Sequence, residues 1–186
     1  MNDWEQQVIA KTKKWLLTVV IGFSFCPFAK RVEDEEKIRY AVVGGQGMEN
    51  SLHALVEELE QLDADDNIET TLVIFPDAFQ SFDEYLDLVH FANEILTDQD
   101  YEGIYQIASF HPDYCFDGEE WEDAANFTNR SPYPMLHILR EASLAAALDG
   151  YPADPDAIPE RNIKLARETG YNILKAIFEA CFEIHP

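Results

Sequence analysis

The residues best able to do chemistry crowd into one stretch of the chain, Ser109 to Ser143. His111-Pro112-Asp113 offers an imidazole that titrates near neutrality and a carboxylate two residues on, the pairing a general acid or base and its orienting partner would use. The same string also reads as a plain turn, with Pro112 in its second position and Asp113 as its cap. His137 is a second imidazole, either a titrating group of the same site or a surface partner of Glu141. Arg130 and Arg140 are the only basic residues between Arg39 and Arg161. A guanidinium fork can clamp a carboxylate or phosphate, and Asn126, Asn129, Ser131 and Tyr133 are near enough in sequence to shape a pocket around it. Alternatively, the two arginines neutralise acids such as Asp123 and Glu141.

Outside this stretch, Cys26 stands in Phe25-Cys26-Pro27-Phe28-Ala29-Lys30-Arg31. It reads either as a small buried residue or as a thiolate favoured by the two cations. Cys26-Pro27-Phe28-Ala29 is similar to the active-site segment of omega-class glutathione transferases, but no thioredoxin-like strand–helix–strand with a suitably placed Val-Pro follows. Cys26, His111, His137 and either Asp113 or Cys115 could in principle surround a zinc ion. No pair has a standard ligand spacing, so no metal is assigned. Gly44-Gly45-Gln46-Gly47 lacks the glycine patterns of phosphate-binding loops. The sequence names no cofactor.

These groups need a scaffold, and the 186 residues suit one domain. The apolar spacing predicts a helix from Trp4 to about Ile21, a strand over 38–43, a helix over 51–62, a strand over 70–75, a helix from Ser81 to about Leu96 and a strand over 104–110. A helix over 134–148 follows, its N-terminus capped by Ser131 with Pro132 and Pro134 in its first turn. A Gly- and Pro-containing linker over 150–159 leads to a last helix, Arg161 to Phe182, with Ile173, Leu174, Ile177 and Cys181 as its buried stripe. Strands joined by helical connections favour parallel crossovers. The expected fold is α/β, a small three-layer sandwich with a mostly parallel sheet of three or four strands, any fourth strand lying near Thr18 to Phe25. An α+β ferredoxin-like arrangement is the alternative. Parallel strands would gather the Gly44–Gly47 loop, Pro76-Asp77 and His111-Pro112-Asp113 at one edge, where such sheets bind ligands.

Charge limits the partners. There are 36 acidic and 13 basic side chains, a formal net charge of −23. No Lys or Arg occurs from Tyr40 to Asn129, a span that holds 22 of the acids. Such a surface repels nucleic acid and anionic lipid, and it suits either simple solvation or a basic protein partner. No apolar run approaches the ~20 residues of a membrane span. Asp3 and Glu5 argue against a signal peptide. Three widely spaced cysteines argue for a reducing cytoplasm.

Five strings carry a wider likeness: Cys26-Pro27-Phe28-Ala29; Thr70-Thr71-Leu72-Val73; the nine residues from Gln106 to Tyr114; the twelve from Asn126 to His137; and Leu139-Arg140-Glu141-Ala142. Through them the chain resembles an uncharacterised bacterial family, domain of unknown function 1415. The resemblance implies no activity. The residues themselves suggest an enzyme of hydrolase or transferase type acting on a small anionic metabolite, with His111 and His137 as acid–base groups, Asp113 as orienter and an arginine clamp. A non-catalytic adaptor using the acidic face and a Cys/His metal protein are the alternatives.

Overall fold

The computed structural model describes residues 2–151 and 154–183. The chain opens with α1 (Asp3–Trp15), started by a capping box between Asn2 and Glu5. Its continuation, Leu16–Ile21, is wound more widely as a π-helix. A short α2 (Ala29–Asp34) leads into β1 (Ile38–Val42). Then come α3 (Met48–Ala64), β2 (Thr70–Ile74), α4 (Phe82–Asp98) and β3 (Tyr105–Phe110). An acidic loop with a 3₁₀ turn at Ala124–Thr128 precedes β4 (Met135–Arg140) and α5 (Glu141–Asp149). A second 3₁₀ turn, α6 (Ile158–Thr169) and α7 (Tyr171–Ala180) complete it. Residues 152–153 of the expected linker lie outside the described residues.

The α/β class holds, with four strands ordered β1-β2-β4-β3. β1 pairs parallel with β2, whereas β4 lies antiparallel to both β2 and β3. The three strands read from the sequence therefore do point the same way. β4 separates β2 from β3, so most of the pairing is antiparallel rather than parallel. The fourth strand is not the segment near Thr18 to Phe25, which is helical and loop. It is the first half of the helix expected over 134–148.

The reason for that error is local. Met, Leu and Arg are good helix formers, and a six-residue apolar run has no decisive period. Two signals opposed it. A residue before proline is pushed toward extended backbone, and both Ser131-Pro132 and Tyr133-Pro134 do this. As a strand, the run alternates: Leu136 and Ile138 are fully buried on one face, while Met135, His137 and Leu139 serve the other. Accordingly, Ser131 caps no helix, and Ala142 and Ala146 are exposed.

Helices cover both faces of the sheet. On one side Leu55, Leu59 and Leu62 of α3 and Leu88 and Ala92 of α4 pack against Val73, Leu136 and Ile138. On the other, Trp15, Leu16 and Val20, with Ala166 and Leu174, pack over Leu72, Ile74 and Met135. The expected final helix is broken at Gly170, whose φ of 90° suits only glycine. The break leaves Ile173 exposed while Leu174 and Cys181 stay buried.

Candidate functional site

The first half of the polar stretch is an internal framework. His111 is 1% exposed. Its Nδ1 accepts the Asp113 backbone N–H at 2.9 Å, so Nε2 carries the proton and donates to the Phe79 carbonyl at 2.8 Å. The rings of Phe82 and Tyr85 lie 5.2 and 5.0 Å from it. Burial lowers its pKa and favours the neutral ring. Both nitrogens are occupied, and Asp113 orients the ring through its backbone rather than its carboxylate.

Arg130 is committed as well. Its Nε donates to the Tyr114 carbonyl at 3.1 Å and one terminal nitrogen to the Trp121 carbonyl at 2.8 Å. Its guanidinium lies between the rings of Trp121 and Phe127, 4.6 and 4.9 Å away. Asn126 is wholly buried, accepting from the Phe116 N–H and donating to the Glu120 and Trp121 carbonyls. Asn129 donates to Ser109, and the Ser131 hydroxyl donates to the Tyr133 carbonyl. Tyr133 is half-buried, its hydroxyl pKa raised by burial and by the nearby charge of Asp77. These residues tie the acidic loop to the end of β3.

Arg140 works at the opposite end of the sheet. It donates to the Leu62, Asp65 and Ile68 carbonyls and to the Tyr105 hydroxyl. It thereby satisfies carbonyls at the C-terminus of α3, where a cation suits the helix dipole. The two arginines are clamps on the backbone, and they do not meet.

His137 is placed differently. Antiparallel pairing sets it between Leu72 of β2 and Ala108 of β3, with Thr70, Leu139 and Gln106 in the next row. These residues floor a cavity of about 490 Å³, roofed by Leu16 and Val20 of the π-helical turn, by the Phe25–Ala29 loop and by α5. Trp15 and Phe110, ring centres 5.3 Å apart, also line it. Its wall is overwhelmingly apolar. Neither His111 nor Arg130 lines it, so the expected cleft joining those residues to His137 does not form.

The state of His137 follows from one hydroxyl. Thr70 Oγ1 lies 2.5 Å from the Ile138 carbonyl and 2.7 Å from His137 Nε2. A carbonyl only accepts, so the hydroxyl proton goes to Ile138. Nε2 must then carry a proton and donate to Thr70. This leaves Nδ1 as an acceptor with no partner among the described residues. Burial pushes the pKa of His137 down to about 4, so the ring is neutral at pH 7. Thr70→Val should shift the ring toward the other tautomer, and Thr70→Ser should restore it. Nitrogen chemical shifts of the His137 ring check this, because loss of packing alone would not exchange the protonated nitrogen.

Cys26 lines the same cavity, half-buried. Burial raises its pKa against weaker opposing bonds from the Phe28 and Ala29 backbone. Lys30 is turned to Asp34 at 2.6 Å. Burial thus favours the protonated thiol at neutral pH, in line with the buried-residue alternative rather than the thiolate one. Among the described residues no group of three His, Cys, Asp or Glu side chains is placed to hold a metal ion. None of the described helices is long and apolar enough to cross a membrane.

A family model described as "Protein of unknown function (DUF1415)" matches residues 7–176. The chain belongs to this family. No curated protein and no solved structure matches it. The DUF1415 match begins within α1 and ends within α7, so the four strands and the cavity wall lie inside it.

The sequence does not single out Thr70 or the π-helical turn, both of which line this cavity. Thr70 becomes recognisable only once β4 is known to lie beside β2. The cavity also lies away from the edge predicted from the parallel strands, because β4 runs back across the sheet and carries His137 with it.

Proposed function

We propose that this protein binds a largely apolar small molecule in the cavity, with His137 Nδ1 accepting a hydrogen bond from a donor group on it. The observation that carries this reading is the pairing of an unfilled apolar cavity with one neutral imidazole whose other nitrogen is fixed by Thr70. Its volume is typical of small-molecule sites, and apolar walls with few polar groups are their usual form. The helix α5 supports the same reading. Its half-buried residues Ser143, Leu144, Ala147 and Leu148 face the cavity, yet none of its residues is fully buried. A ligand in a cavity that no side chain fills would give this apolar helix further packing.

The test is a fluorescence titration with 1-naphthol and its methyl ether, 1-methoxynaphthalene. Naphthol should bind saturably and about tenfold more tightly than the ether, the worth of one buried hydrogen bond. Ala147→Trp, which fills the cavity from a partly exposed helix, should abolish binding of both with little change in Tm. Unchanged naphthol binding in that variant would place the ligand elsewhere.

The acid–base enzyme suggested by the sequence is a second reading, moved from His111 to His137. Cys26, which lines the same cavity as the imidazole, favours it. A base with a pKa near 4 would give turnover that rises through that pH and is level to neutrality. An acid limb near 6.5 would assign the base to another group.

A further inference from the structure

We infer that the molecule bound in this cavity is an amphiphile whose anionic head is held by Arg31, an inference that rests on the cavity reading above. The argument begins with the arginines. Arg39 reaches Glu58 at 2.5 Å, Arg130 reaches the Trp121 carbonyl at 2.8 Å, Arg161 reaches Asn162 at 2.7 Å and Arg167 reaches Asp123 at 2.8 Å. Arg140 holds the backbone carbonyls of Leu62, Asp65 and Ile68. Arg31 is different. Its contacts among the described residues are 3.4 Å to Glu35 and 4.0 Å to Glu69. Both exceed the 2.7–2.9 Å of a charge-assisted hydrogen bond.

Arg31 thus meets both Glu35 oxygens and Glu69 only at longer range, and it lines the cavity. Its side chain is 53% exposed, which places the guanidinium at the cavity's solvent side. Inside, the wall is mostly apolar; besides His137 and Thr70 its polar side chains are Gln106, Ser143 and Arg140, the last spent on backbone carbonyls. The site thus has a mostly apolar body, the His137 acceptor and a cationic fork at its rim. The complementary ligand has an apolar body, a donor and a carboxylate or phosphate head. Glu69 also lines the cavity and opposes such a head, so it limits affinity and strengthens selection for a head that can engage both arms of the fork.

Isothermal titration calorimetry on the full chain tests this with 10-hydroxydecanoate against 1,10-decanediol, which differ in the head alone. The acid should bind about tenfold more tightly, as expected for charge-assisted bonds at a partly exposed site. The preference should shrink as salt is raised. Arg31→Gln should abolish it. Lys30→Gln makes the same change in net charge at a residue outside the cavity wall, and it should leave the preference intact. A tighter 10-hydroxydecyl phosphate supports the anionic head equally and assigns it as a phosphate. Glu69→Gln should tighten either anion severalfold.

If diol and acid bind the unaltered protein equally, or if Lys30→Gln erases the preference as fully as Arg31→Gln, the anionic head is wrong while the cavity reading stands. If none of these ligands binds and 1-naphthol also fails, both readings fall together.

Discussion

Arg130→Ala lowers the stability of this protein by about 3 kcal/mol and leaves binding in the cavity intact. The cost has three sources. Two carbonyls, of Tyr114 and Trp121, lose a charged donor, and each such bond is worth about 1.5–3 kcal/mol. The Tyr114 carbonyl is left without that donor, while the Trp121 carbonyl keeps only the Asn126 amide. The gap between Trp121 and Phe127 also loses the guanidinium that fills it. In a chain of this size the loss corresponds to a fall in Tm of about 6–12 °C. Thermal unfolding beside ligand titration decides the matter. An unchanged Tm with ligand binding lost would restore Arg130 as an anion clamp. Arg130→Lys should rescue little, since a single ammonium cannot span both carbonyls.

The second large effect is the dependence of stability on pH through His137. Its folded pKa of about 4 lies below the ordinary value near 6.5. Between those values the unfolded chain binds more protons than the folded one. The neutral buried ring therefore contributes its full stability above about pH 6.5 and loses it as pH falls toward 4. Between pH 7 and pH 4.5 the loss amounts to about 2.5 kcal/mol, an upper bound because the cavity side of the ring can hydrate. His111 shifts in the same direction, and ordinary carboxylates titrate in the same acid range. The readout is consequently a difference. Urea unfolding of the native chain and of His137→Leu should diverge in stability across that window. Parallel curves would mean that His137 is freely solvated.

The two predictions divide the polar stretch between Ser109 and Ser143 by role. His111, Asn126, Asn129, Arg130 and Ser131 spend their polar groups on backbone groups of the acidic loop, the β3 end and Phe79. Each has an internal partner, which is why alanine there is expected to destabilise rather than inactivate. His137 keeps one nitrogen uncommitted, and it faces a space that no side chain fills.

Part of this was legible in the residues. The helical spacing in 51–62, the β-branched run at 70–75 and the capped helix after Ser81 each report a buried face, which is a local property. Those elements were recovered to within a few residues. The co-orientation of β1, β2 and β3 was legible too, from connections that carry a helix. The charge asymmetry was plain, since it is a count. The candidate site was mostly not legible. Met135–Arg140 has helix-forming composition, and only its place between β2 and β3 makes it a strand. Thr70 and His137 are far apart in sequence and meet through sheet register. That Arg31, paired with Glu35 on α2, also lines the cavity is visible only in the fold.

By itself, then, the sequence determined the α/β class, the sign and location of the charge, most helices and three strands, and the two imidazoles worth testing. Only the tertiary structure decided which imidazole keeps an unpartnered nitrogen, which arginines line the cavity and where that cavity lies. The physical reason is that burial patterns are written in neighbouring residues. Whether a polar group is spent or spare depends on partners that folding brings from elsewhere in the chain.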